Sequence, residues 1–146
     1  MQNNANEMAV FNTAIYVRLS KEDIVAAQSG RESNSITNQK QLILDFLKDK
    51  PEFNIVSIRI DDGYTGTNFD RPAFQRMLND IKAGRINCVV VKDLSRFGRN
   101  YLEAGNYIEK IFPFLGVRFI AVADGFDTGA GGNETKQMVS EIKNLV

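Results

Sequence analysis

The sequence contains no histidine, a single cysteine (Cys88) and no net charge, with 18 lysines and arginines set against 18 aspartates and glutamates. Without histidine, neither a Ser-His-Asp triad nor a Cys-His pair can form. One cysteine cannot supply the roughly four ligands of a His/Cys zinc site. Nor can it close an internal disulfide, which fits a reducing compartment or indifference to redox. Electroneutrality speaks against a strongly basic nucleic-acid binder. Apolar runs such as Cys88–Val91 fall far short of the ~18–20 residues of a membrane helix. The first nine residues are polar and Asn-rich, with no apolar core of a targeting peptide. A cytoplasmic protein with no membrane partner is expected.

What remains is an ordinary globular composition, 43% hydrophobic and 25% charged over 146 residues. Such a chain makes about one domain and can bury roughly two-thirds of its unfolded surface. The apolar pattern alternates between two periods. Ala14–Val17 reads as a buried strand. The polar stretch Lys21–Asn34 repeats at no period and reads as a mobile loop. Ser33, Asn34 or Ser35 then caps a helix whose apolar face holds Ile36, Leu42, Ile43, Phe46 and Leu47, ended by Pro51. Ile55–Ile60 alternates as a second strand. Pro72 opens a second helix with Phe74, Met77, Leu78 and Ile81, closed by Gly84. Ile86–Val91 is apolar nearly throughout, the mark of a strand covered on both faces. A helix over Asn100–Phe114, a strand over Val117–Val122, a Gly-rich loop and a last helix complete the chain.

Four strand–helix alternations imply parallel pairing and right-handed crossovers. The expected fold is α/β, a three-layer sandwich around a mostly parallel central sheet of four or five strands. Residues 1–12 are expected to form a disordered tail and 13–146 the domain. The last helix is still apolar-periodic at Val146 and carries no stop signal, so the chain is expected to continue in a longer protein.

Ligands gather beyond the carboxyl ends of the strands in such sheets. Arg18 and Ser20 follow the first strand, and Asp61, Asp62, Thr65, Asp70 and Arg71 the second. Lys92, Asp93, Ser95, Arg96 and Arg99 follow the third, and Gln39 can face the same edge. Arginines are poor bases but good bidentate cradles for a tetrahedral phosphate. They stabilise the charge of a phosphoryl transition state. A serine beside them, with no histidine, fits attack on a phosphodiester to give a phosphoserine. Plainer readings stand beside this one. Arg96 and Arg99 at a helix start oppose its dipole and fit a solvated face. Asp61-Asp62 fits a metal-binding acid pair. Asp70 fits a cap for the Pro72 helix, and Cys88 a small core residue.

Four blocks then occur in order: Tyr16-Val-Arg18-Leu-Ser20, Ser35–Gln39 (SITNQ), Asp62-Gly-Tyr-Thr65-Gly66 through Asp70-Arg71-Pro72, and Ser95-Arg96-Phe97-Gly98-Arg99. With these blocks, the chain from Thr13 to Val146 resembles the catalytic domain of the serine recombinases, the resolvase/invertase family, and most of all the large members from conjugative transposons and phage integrases. The resemblance implies a site-specific DNA recombinase acting in the excision or integration of a mobile element. Ser20 would attack the DNA phosphodiester and form a 5′-phosphoserine link. Arg18, Arg71, Arg96 and Arg99 would hold the scissile phosphate, and Gln39 would help position Ser20 or the phosphate. The resemblance also implies double-stranded DNA as partner, self-association to a dimer or tetramer, and no metal, nucleotide or other cofactor. A long helix and a DNA-binding domain would lie beyond this chain, so the fragment alone is expected to be inactive. Small members carry an aspartate where this chain has Ser95, which leaves Asp93 as the nearest acid. Before DNA binds, Ser20 is expected to be poorly ordered or several ångströms from the arginines. The alternative reading is a receiver-like phosphoacceptor signalling module. It would want an acid pair after the first strand, where this chain has Arg18-Leu-Ser20.

Overall fold

The structure, a computed structural model, describes residues 10–19, 36–63 and 69–130. The predicted loop from Lys21, the caps at Ser33–Ser35 and the last helix lie outside these residues. Five strands form one sheet in the order β2-β1-β3-β4-β5. They are β1 (Phe11–Leu19), β2 (Phe53–Asp62), β3 (Cys88–Val91), β4 (Arg118–Ala121) and β5 (Phe126–Asp127). All pairings are parallel except β4 with β5.

Between the strands lie α1 (Ile36–Leu47), α2 (Pro72–Lys82), the single turn α3 (Leu94–Phe97) and α4 (Tyr101–Asn106). A π turn (Tyr107–Ile111) carries α4 on into α5 (Phe112–Phe114). The widened turn precedes Pro113, which has no N–H to return to the Glu109 carbonyl in an ordinary α-helical bond. The predicted helix over Asn100–Phe114 is therefore present, with this defect inside it.

The chain steps from β1 outward to β2 and back across β1 to β3. Right-handed crossovers then put α1 and α2 on opposite faces. Ile43 and Leu47 of α1 bury against Ile15, Val17, Val90 and Ile120. Phe74, Met77, Leu78 and Ile81 of α2 bury against Ala14, Tyr16, Val89 and Val91, together with Ile108 and Phe112 of the long helix. Every residue of β3 is fully buried, as its unbroken apolar run predicts. Cys88 is one of these core residues, and burial pushes its thiol up to about 12.

The structure corrects two expectations. Residues 11 and 12, assigned to the tail, are strand. Phe11 stacks on Phe53 with 5.6 Å between ring centroids, and the Asn12 amide donates to Asn87 Oδ1 at 2.7 Å. The Gly-rich stretch after β4 also contains β5. That strand is too short for any periodicity, and is held by a bidentate ion pair from Arg118 to Asp127 at 2.9 and 2.7 Å.

A bulge interrupts β2 near its start. Thr13 pairs with Ile55 and Ala14 with Ser57, so Val56 is an extra residue. A one-residue slip moves every later side chain to the other face. Beyond the bulge, Ile58 and Ile60 share the α1 face with Ile15 and Val17, while Asp61, paired with Arg18, turns toward α2.

The α2-side core centres on Phe97, fully buried, with its ring 4.8 Å from both Phe69 and Phe119 and 5.9 Å from Phe74 and Phe112. Phe97→Ala should cost about 3–5 kcal/mol in urea unfolding. A loss under about 1 kcal/mol would mean that this cluster does not carry the core.

Candidate active site

The reversal of strand order between β1 and β3 makes a crevice at their carboxyl ends, the switch point where open α/β sheets bind ligands. Arg18, next to last in β1, stands on one side, and Asp93 to Arg99 follow β3 on the other. Arg71 enters from the start of α2.

The turn α3 organises this edge. Its amino end is closed by two carboxylates. Asp93 accepts from the Arg96 amide at 2.9 Å and from Ser95 Oγ at 2.7 Å, and Asp124 accepts from the Leu94 amide at 2.7 Å. Asp93, the nearest acid to the exposed Ser95, therefore caps the turn. After one turn no further helix exists to donate to the last carbonyls. Two arginines do so instead. Arg18 donates to the Ser95 carbonyl at 2.9 Å and to the Arg96 carbonyl at 3.1 Å. Arg71 donates to the Phe97 carbonyl at 2.6 Å.

Arg18 and Arg71 are both fully buried. The Arg71 guanidinium lies 4.5 Å from the centre of the Phe69 ring and 5.9 Å from that of Tyr16, and it donates to Tyr16 Oη at 3.2 Å. Arg96 is half-buried and reaches the Arg18 carbonyl at 3.4 Å, and Arg99 is exposed. Two arginines thus sit beneath the surface of the crevice and two at its mouth. Burial, followed by repulsion from Arg71, Arg96 and Arg99, lowers Arg18 to about 10. It remains a cation at neutral pH, and the site concentrates positive charge although the chain is neutral.

Buried Gln39 of α1 donates from Nε2 to the Arg18 carbonyl at 3.0 Å. It grips the main chain two residues before Ser20. Of the predicted site residues, Arg18, Gln39, Arg71, Arg96 and Arg99 are thereby brought to one edge. Ser20 follows directly on Leu19 but lies outside the described residues, as does its expected separation from the arginines.

Asp70 is not the cap of α2. The boundary residue there is Arg71, whose side chain caps nothing. Asp61 does the work from the neighbouring strand, accepting from the Ala73 and Phe74 amides at 2.8 and 2.9 Å. The same buried carboxylate accepts from Tyr16 Oη at 2.8 Å. That engagement is against the reading of Asp61-Asp62 as a metal-binding pair, and consecutive strand residues face opposite ways in any case. No group of three metal-ligating side chains occurs among the described residues.

Gly98 closes the site against Phe69. A Cβ there would lie 2.6 Å from Phe69 Cζ and 2.9 Å from Cε2. Its backbone is extended, so the constraint is one of space. Gly98→Ala should displace the ring that packs on Arg71 and cost about 1–3 kcal/mol in chemical denaturation. An unchanged midpoint would show that Phe69 yields freely.

Known proteins share this fold. No curated protein matches the chain in sequence. Among solved structures it is similar to the N-terminal catalytic domain of TP901-1 integrase, with 22% identity, 92% of each chain covered and a TM-score of 0.74. It is also similar to a resolvase family site-specific recombinase from Streptococcus pneumoniae, with 28% identity, 92% of this chain and 85% of that one, and a TM-score of 0.68. A third likeness is to the C-terminal catalytic domain of ISC1926 TnpA, an IS607-like serine recombinase, at 19% identity over 92% of this chain and 80% of that one, with a TM-score of 0.60. The family described as "Resolvase, N terminal domain" matches residues 13–145. With a five-stranded sheet of the same kind and an arginine-lined switch point, the chain belongs to the resolvase family of site-specific recombinases, as its catalytic domain.

Proposed function

We propose that this domain cleaves and rejoins double-stranded DNA with Ser20 as the nucleophile. The observation that carries the reading is the convergence of Arg18, Arg71, Arg96 and Arg99 on the edge where β1 delivers the chain to Ser20. Ser20 Oγ attacks the phosphorus, a 5′-phosphoserine bond forms, and the bond to the 3′-oxygen breaks. The serine proton is lost and the 3′-oxygen gains one, so protons balance. One phosphodiester replaces another, so the reverse attack by a 3′-hydroxyl reseals the strand without an outside energy source.

The arginines supply the electrostatics. Arg96 and Arg99, at the mouth, make the first contact with a backbone phosphate. Arg18 and Arg71, buried and fixed on main-chain carbonyls, keep two cations beneath it in a low-dielectric setting, where charge is felt more strongly than in water. Preorganisation of this kind lowers the barrier because nothing has to turn toward the transition state when it forms. Gln39 holds the Arg18 carbonyl and with it the approach to Ser20. Strand exchange requires several such sites together, so self-association to a dimer or tetramer belongs to the same proposal. Its biological setting is the movement of a mobile element, as "integrase" in the name of one similar structure suggests. The receiver-like alternative has no support at β1, whose end carries an arginine in place of an acid pair.

The test uses a recombinase carrying this domain on DNA with its cognate site. A covalent protein–DNA species should accumulate when resealing is blocked, and Ser20→Ala should abolish it. Covalent linkage persisting in Ser20→Ala would refute the assignment.

A further inference from the structure

A chain of three buried side chains, Arg71, Tyr16 and Asp61, ties one arginine of the site to the framework. Arg71 can only donate, and a carboxylate only accepts. The direction is therefore fixed: Arg71 Nη1 donates to Tyr16 Oη at 3.2 Å, and Tyr16 Oη donates to Asp61 Oδ2 at 2.8 Å. Asp61 also accepts from the Ala73 and Phe74 amides, the second and third residues after Arg71 itself. One carboxylate thus fixes both ends of Arg71. It anchors the backbone from which the side chain springs, and through Tyr16 it holds the guanidinium. Burial keeps the Tyr16 phenol far above its ordinary range, so the relay remains protonated at any working pH.

The strand register makes this possible. Tyr16 lies two residues before Arg18 on the same face of β1, and Asp61 is the cross-strand partner of Arg18. The bulge at Val56 brings Asp61 to that face. Were Val56 paired in the ladder instead of bulged out of it, Asp61 would oppose Leu19 and its carboxylate would lie on the α1 side, away from both Tyr16 and α2.

We infer that Asp61, acting through Tyr16, is a positioning residue for Arg71. The buried Asp61–Tyr16–Arg71 chain sets where the guanidinium meets the scissile phosphate. This rests on the proposed reading of the arginines as the phosphate site. A guanidinium fixed at one Nη by a phenol and a carbonyl is restrained in its plane as well as its place. Misplacement of a reacting group by an ångström costs up to about 10²-fold in rate.

Asp61→Asn would set an amide N–H₂ among backbone donors, and such a variant can fail to fold. Tyr16→Phe is the cleaner probe, because it keeps the ring and leaves Asp61 on its two α2 amides. In a recombinase carrying this domain, Tyr16→Phe should slow formation of the covalent DNA species by about 10-fold or more. DNA affinity should be unchanged, and the melting temperature should fall by only a few degrees. Arg71→Lys should also slow cleavage, and the double variant should be no slower than Arg71→Lys alone, since both changes break one unit. If Arg71→Lys is impaired while Tyr16→Phe cleaves normally, or if the two losses multiply, the positioning role is overturned. If Arg71→Lys itself cleaves normally, the phosphate reading falls and this inference with it.

Discussion

Three consecutive carbonyls, those of Ser95, Arg96 and Phe97, hold the site together. They end a helix only one turn long, so no later residue of that helix can satisfy them. Arg18 and Arg71 are recruited from β1 and from the start of α2 to do so. Buried guanidiniums are costly without partners. Here main-chain carbonyls, and for Arg71 the Tyr16 phenol as well, are among the partners that house the two cations. Asp93 and Asp124 at the other end keep the turn wound and its carbonyls aimed.

From that arrangement comes the electrostatic character of the crevice. Repulsion from Arg71, Arg96 and Arg99 adds to burial in lowering Arg18, so Arg18 feels the other three charges. The fold tolerates this because the sheet around the site is well packed. β3 is wholly buried, and Phe97 presents its carbonyl to Arg71 while its ring anchors the aromatic cluster beneath. Core packing and charge placement therefore meet in one residue.

Much of this was legible in the sequence, for identifiable reasons. The unbroken run of β3 and the helical spacing of Phe74, Met77, Leu78 and Ile81 are long enough for period and burial to agree. Arg18 stands near the end of β1 and Arg96 and Arg99 on the segment just after β3, so placing those strands places them. What escaped was set by register and by elements too short for a period. Asp61 caps α2 from a neighbouring strand, whereas local reasoning favours Asp70, one residue from the helix boundary. Bulging of Val56 out of the ladder turns Asp61 inward, and nothing in the apolar pair Ile55-Val56 shows from sequence which residue leaves the ladder. The turn α3 has four residues and shows no periodicity. Its one signal was an aspartate three residues before Arg96, the spacing of an N-cap. Tyr16 reads as an ordinary buried aromatic, and its hydroxyl has a role only once Asp61 and Arg71 are placed around it.

The central claim is that this crevice is a preformed anion site built from arginines gathered around Arg18. Thermal unfolding of the domain in increasing sulfate, against chloride at matched ionic strength, tests it directly. Sulfate should stabilise saturably, by about 1.4 kcal/mol at ten times its dissociation constant. The double variant Arg96→Gln, Arg99→Gln should lose that gain. A sulfate effect no greater than that of chloride, or one that persists undiminished in the double variant, would contradict the claim.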